Sequence, residues 1–188
     1  MTEADSAMFD RYRAPWGGVD HILGIHALLP ETLEPHMVLY KRLMFARGPL
    51  SRRERELIAT VVSAANTCEY CLHHHADALD RVTRDRRLAR MVRADFTRAD
   101  LSEREAAILR YADRLTRNPS ADHEDTLRTL RQLGFTDEAL LHICLVTAYF
   151  NFVNRLALGL GVELESYWKM DGFSDHTLDM AHDRKTED

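Results

Sequence analysis

The chain has 188 residues, 45% of them hydrophobic and 29% charged, with a net charge of −5 at neutral pH. That is enough for one domain with its own core. It offers no basic excess for nucleic acid and no apolar run near the roughly 20 residues of a bilayer span. The polar, acidic N-terminus is unlike a signal or transit peptide. Three cysteines, two of them in Cys68-Glu69-Tyr70-Cys71, suit a reducing cytoplasm with a redox pair better than a secreted disulfide framework.

Residues 1–18 read as a loose arm, with Phe9, Tyr12 and Trp16 as its apolar anchors. After Asp20, a possible cap, Ile22, Leu23, Ile25, Leu28 and Leu29 have helical spacing. Pro35 suits the first turn of a helix running to about Phe45, with Met37, Leu39, Tyr40, Leu43 and Met44 facing inward. Gly48-Pro49 ends it. Ser51-Arg52-Arg53-Glu54 is a capping box, which starts the next helix and gives Glu54 a structural role.

Residues 51–66 then read as one helix and 68–81 as another. Asn66 and Thr67 between them are poor helix formers and good caps. Thr67 is the expected N-cap, which puts Cys68 in the first turn. Residues three and four apart share a helix face, so Cys68, Cys71 and His75 line one stripe. Glu56 lies roughly 15 Å before the break and His75 roughly 12 Å beyond it, at about 1.5 Å per residue. Only if the chain folds back as a hairpin do carboxylate and imidazole meet.

Downstream, Arg81 to Arg93 is basic-rich, with Arg84, Arg86, Arg87, Arg90 and Arg93 interleaved with Val82, Leu88, Ala89 and Val92, and reads as the solvated face of a helix. Leu101-Ser102-Glu103-Arg104-Glu105 echoes Leu50–Glu54 as a second capping box, followed by a helix through Leu115. Asn118-Pro119 breaks the chain. Asp122 begins a short helix that Gly134 stops. Residues 137–158 form the longest apolar stretch, expected at the centre or between subunits. Cys144 within it reads as an inert buried thiol, and Asn151, Asn154 and Arg155 need partners there. Residues 172–188 form a polar tail, expected to be mobile. No segment alternates with period two. The fold class is therefore all-α, a bundle of about seven to nine helices, with the helical domain spanning 19–171.

Two thiols in C-x-x-C can close a disulfide, and the thiolate is the attacking form. A helix N-terminus favours the thiolate of Cys68. His75, one turn beyond Cys71, can take its proton, and Glu56 can orient the imidazole. A thiolate that meets a peroxide becomes a sulfenic acid, which a second thiol condenses to a disulfide. Cys68, Cys71 and His75 also offer three zinc ligands, with Glu56 as a fourth, but no second C-x-x-C or H-x3-H follows. His73, His74 and His75 cannot share one site, since adjacent helix positions diverge by about 100°. His73 is expected to be exposed or at a subunit contact.

The pattern E-x11-C-x-x-C-x3-H resembles that of the AhpD-like alkyl hydroperoxidases in the carboxymuconolactone decarboxylase superfamily. Tyr149-Phe150-Asn151-Phe152-Val153-Asn154-Arg155-Leu156 with Gly159-Leu160-Gly161-Val162 resembles the peroxidase-related branch. The resemblance covers roughly residues 15–170. It implies an AhpD-like helical bundle, a homo-oligomer, and a thiol-dependent peroxidase acting on hydrogen peroxide or an organic hydroperoxide. An external dithiol is the reductant, and no bound organic cofactor is needed. By position, Glu56 matches the relay glutamate, Cys68 and Cys71 the cysteine pair, and His75 the histidine. The founding hydroperoxidases have a histidine where this chain has Tyr70, so Tyr70 or His74 stands as a possible relay substitute. Cys71, one turn from His75, is the expected peroxide-attacking thiol and Cys68 the resolving one, with the reverse order left open by the helix N-terminus at Cys68. The alternatives are a thiol redox sensor or partner-specific disulfide reductase, a lactone decarboxylase-like enzyme that needs no thiol, and a zinc-stabilised binding protein.

Overall fold

The computed structural model of the chain describes residues 9–14, 18–168 and 173. Trp16 of the expected arm and almost all of the expected tail lie outside the described residues. Among the described residues there are eight α-helices and no strand. They are α1 (His21–Gly24), α2 (Leu33–Met44), α3 (Arg52–Ala65), α4 (Glu69–Thr83), α5 (Arg86–Asp95), α6 (Glu103–Arg117), α7 (Glu124–Gln132) and α8 (Asp137–Gly159). Short 3-10 turns precede α2 and follow α5.

The centre of the bundle is α3, which packs against α4, α6 and α8. Every residue from Glu54 to Ser63 is buried. A helix that is buried all round needs neighbours on all sides, and α3 has them. The apolar stretch 137–158 was expected there or between subunits. It forms α8 instead with one buried face, including Ile143, Val146, Phe150 and Val153, and one face that leaves Leu141, Leu145 and Phe152 exposed. By length and composition α8 would also suit a bilayer, yet half of its apolar window is buried within the bundle.

Both capping boxes form. Their echo in the sequence has a structural counterpart. Arg53 of α3 reaches Glu105, the box carboxylate of α6, at 2.5 Å. Arg104 of α6 reaches Glu54, the box carboxylate of α3, at 2.7 Å. Each carboxylate thus caps its own helix and ties down the other, so the two helix N-termini are fixed side by side. Burial would raise the Glu105 carboxyl, but the Arg53 bond and the Ser102 groups hold it below its usual range.

In α2, Leu39 is exposed rather than inward-facing, whereas Met37, Leu43 and Met44 are buried. Phe9 joins Leu23, Leu33 and Met37 in a small second cluster, which anchors the arm. At the other end Phe173 is buried, with the guanidinium groups of Arg86 and Arg90 at 5.0 and 5.6 Å from its ring. α5 buries Leu88, Ala89 and Val92, as its interleaved pattern requires.

Candidate active site

The site begins where α3 ends. Thr67 takes a left-handed conformation, φ 55°. The Cys68 N–H donates to the Ser63 carbonyl and the Thr67 N–H to the Ala64 carbonyl, both at 3.0 Å. These two bonds make the Schellman C-terminus, usually built on glycine. The reversal delivers Cys68, not Thr67, as the N-cap of α4. Thr67 is therefore the turn residue, and its side chain caps nothing. A β-branched residue in this conformation costs on the order of 1–2 kcal/mol.

The hairpin brings α4 back along α3. His75 Nδ1 lies 2.8 Å from Glu56 Oε2, and an Arg52 guanidinium nitrogen lies 2.7 Å from Oε1. Glu56 is 0% exposed. Burial alone would raise its carboxyl; the Arg52 charge and His75 outweigh that and hold it below the usual range. A carboxylate only accepts, so Nδ1 of His75 carries the proton and Nε2 is the acceptor of the neutral ring. Phe150 packs edge-on against this ring at 4.4 Å between centroids.

Cys68 and Cys71 are free thiols, 1% and 3% exposed. Interaction with the Cys71 thiol lowers the Cys68 thiol to about 7, helped by the Cys71 backbone N–H and opposed by burial. Interaction with the Cys68 thiol, with burial, pushes the Cys71 thiol up. The low-lying thiol is thus Cys68, at the positive end of α4.

Tyr70 and His74, also on α4, meet on Glu165. The Tyr70 hydroxyl donates to Glu165 Oε1 at 2.6 Å and accepts from the Ile22 N–H at 3.2 Å. His74 Nε2 lies 3.0 Å from Glu165 Oε2. The His21 N–H and the Trp168 indole N–H also donate to Glu165, at 2.8 and 2.9 Å. Burial tends to raise the Glu165 carboxyl, but His74, Tyr70 and the His21 amide hold it far below the usual range. His73 is neither exposed nor free: Nδ1 donates to the Glu69 carbonyl at 2.7 Å, and Arg93 lies 3.1 Å from Nε2.

Among the described residues, no group of three or more His, Cys, Asp and Glu side chains has the arrangement to hold a metal ion. The cavities found, of about 320 and 230 Å³, lie between α6 and α7 and between α3, α5 and α6. Neither touches a cysteine.

The carboxymuconolactone decarboxylase family matches residues 30–114 of this chain. A peroxidase-related protein from Silicibacter sp. TM1040 is 31% identical with a TM-score of 0.82, over 88% of this chain and 86% of its own. The chain belongs to the carboxymuconolactone decarboxylase family, in its AhpD-like, peroxidase-related branch. A second such protein, from Ralstonia eutropha JMP134 and described as an alkylhydroperoxidase AhpD core, is 27% identical. Its TM-score is 0.80, over 88% of this chain and 87% of its own. The debrominase Bmp8 shares the fold at 19% identity, TM-score 0.74, over 87% of each chain. No curated protein sequence matches. The family includes enzymes of several chemistries.

For this family member, the hairpin unites Glu56 with His75, and α4 unites Cys68 with Cys71. Tyr70 and His74 gather instead on Glu165, which sequence reasoning missed. Glu165 stands 91 residues from His74 in an irregular segment, and nothing local distinguishes it from a solvated glutamate. Cys144 is half-buried and shares a hydrogen bond with the Tyr111 phenol, whose pKa burial and that thiol push up.

Proposed function

We propose that the chain is a two-cysteine, thiol-dependent peroxidase acting on hydrogen peroxide or a small organic hydroperoxide. The observation that carries this reading is the pair of free, buried thiols, Cys68 and Cys71, on the helix that bears the Glu56-bound His75.

The lowered thiol favours Cys68 as the attacking sulfur and Cys71 as the resolving one, the reverse of the order read from the His75 spacing alone. The Cys68 thiolate attacks one peroxide oxygen. The O–O bond breaks, and His75, holding the proton it took from the Cys68 thiol, gives it to the departing alkoxide, leaving Cys68 as a sulfenic acid and a free alcohol. His75 then takes the Cys71 proton. The Cys71 thiolate attacks the Cys68 sulfur, the S–O bond breaks, and the hydroxide leaves as water with that proton. An external dithiol reduces the disulfide and is itself oxidised to one. The sum is hydroperoxide plus dithiol giving alcohol, water and a disulfide. No bound organic cofactor enters the cycle.

The burial of both sulfurs favours a substrate as small as a hydroperoxide over a folded protein disulfide. The need for free thiols favours a reducing cytoplasm. The exposed stripe Leu141, Leu145, Ala148 and Phe152 on α8 has the 4-3-4 spacing of a coiled-coil seam and carries no charge, which favours a second copy of the chain against it.

The test is peroxide consumption with a dithiol reductant, comparing the native chain with Cys68→Ser, Cys71→Ser and the double variant. Loss of turnover in each single variant, with an intramolecular disulfide only in the native chain, is the expected result. A native chain no faster than the double variant overturns the reading and leaves a redox sensor or a partner reductase.

A further inference from the structure

The pair of Glu56 and His75 has a third member that the cycle above does not use. Arg52 opens α3, one turn before Glu56. One of its guanidinium nitrogens lies 2.7 Å from Glu56 Oε1, while Oε2 accepts from His75 Nδ1 at 2.8 Å. Among the described residues no group gives Oε1 an aligned hydrogen bond, so what Arg52 brings to it is charge. The guanidinium is fixed from two further sides. It donates to the Met44 carbonyl at 3.1 Å, and its central carbon stands 3.8 Å from the centre of the Phe45 ring.

The charge count decides what His75 can do. Glu56 is fully buried, and a buried carboxylate needs a compensating positive charge. Two neighbours could supply it. An imidazolium would, but a ring protonated on both nitrogens has no lone pair left and cannot take a proton from a thiol. A guanidinium supplies it permanently, because arginine does not deprotonate in proteins. With Arg52 in place the carboxylate is already balanced. His75 can then rest with its Nδ1 proton on Glu56 and with Nε2 bare.

We propose that Arg52 is a positioning residue of the thiol cycle: it holds the positive charge that Glu56 requires and so keeps His75 neutral at rest, the state in which the ring can take a thiol proton. The inference deepens the peroxidase reading and rests on it for the place in the cycle. The ion pair and its effect on the imidazole do not depend on that reading.

The other charged and titratable groups around the pair leave this role to Arg52. Burial pushes the Glu56 carboxyl up, and the strongest charge opposing it is Arg52, ahead of His75 and Arg81. Arg81, further along α4, lies 3.4 Å from Asp77 and shares its charge with that carboxylate. Cys68 and Cys71 stand on α4 before His75, and His74 is engaged with Glu165. Tyr40 of α2 is a buried phenol, pushed up to about 12 chiefly by burial, and is neutral. From α8, Phe150 presents an uncharged ring, and the Tyr149 phenol against it is pushed up by burial.

The test follows the ring nitrogen resonances of His75 against pH in full-length protein. Arg52→Gln removes the charge, and Arg52→Lys keeps it in a different shape. In Arg52→Gln the ring should take its second proton about one pH unit higher than in the native chain, at a tenfold lower proton concentration. In Arg52→Lys the midpoint should stay near the native one. The acidic limb of the peroxide pH profile should move upward with the midpoint in Arg52→Gln and stay in Arg52→Lys. An unmoved midpoint in Arg52→Gln overturns the proposal. So does an equal shift in both variants, which would trace it to lost contacts rather than lost charge. If Arg52→Gln does not fold, the native chain answers. At neutral pH its Nε2 should resonate as a bare nitrogen and its Nδ1 as a protonated one; a ring protonated on both nitrogens overturns the proposal. A chain that turns over no peroxide but shows the nitrogen shift keeps this inference and sinks only the peroxidase reading.

Discussion

His75 Nδ1 stands 2.8 Å from Glu56 Oε2, although 19 residues separate them in sequence. The pair exists only because Thr67 reverses the chain. Its other brace is Arg52, one turn before Glu56. Glu56→Gln keeps the shape and removes the charge, leaving His75 without a carboxylate partner. Peroxide turnover should fall by about 10- to 100-fold, with kcat falling more than KM rises. A variant with native turnover would remove Glu56 from the mechanism.

The same carboxylate sets an acid limit on stability. The Glu56 carboxyl is held low by Arg52 and His75 against burial, and Glu165 is held low by His74, Tyr70 and the His21 amide. A carboxyl whose folded pKa is depressed contributes stability above its unfolded value, about 4.3, and loses it as pH falls through the folded value. The melting temperature of the native chain should hold through weakly acidic pH and fall steeply below about pH 4. Glu165→Gln should start lower and fall less steeply. Parallel curves for the two proteins would contradict the assignment.

Ultraviolet absorbance of the thiolate distinguishes the two sulfurs. A transition with a midpoint near 7 belongs to Cys68. It should vanish in Cys68→Ser and shift upward in Cys71→Ala, where the donor to Cys68 is gone. If it vanishes instead in Cys71→Ala and persists in Cys68→Ser, Cys71 is the attacking thiol.

Glu165 accepts four hydrogen bonds from three separate segments, so its loss strands several donors at once. Glu165→Ala should destabilise the fold by about 3 kcal/mol, and Tyr70→Phe by about 1 kcal/mol. In the double variant the two losses should add to less than their sum, since they share one bond. Full additivity, read from denaturant midpoints, would separate the two residues.

Thr67 is exposed and left-handed, where glycine is at ease. Thr67→Gly should raise stability by about 1 kcal/mol, a melting shift of a few degrees, without changing turnover. Loss of stability would mean that the threonine side chain has a role the turn geometry does not require.

The apolar stripe of α8 gives an independent test of assembly. Leu145→Glu or Phe152→Glu places a charge on the seam and should convert an oligomer to monomer by sedimentation, leaving helix content unchanged. A native chain that sediments as a monomer removes the second copy from the account.

Much of this was readable one residue at a time. Helix starts at Ser51 and Ser102 are local, because a capping box lies within four residues. The stop at Gly134 is local for the same reason. The thiol pair, Glu56 and His75 could be picked out because their spacing forms a pattern. By itself, then, the sequence determined an all-α chain, its helix order and the residue types of the thiol chemistry. Three things waited for the tertiary structure. One was which thiol stands at the start of the helix, since Cys68 and not Thr67 is the N-cap. Another was the centre of the bundle. Hydropathy favoured 137–158, but neighbours on every side bury α3. The last was the pair of polar networks, Glu165 with Tyr70 and His74, and Asn154 with Asn66. Their members lie 88 to 95 residues apart along the chain, and a hydrogen bond acts over about 3 Å, so no periodicity in sequence records it.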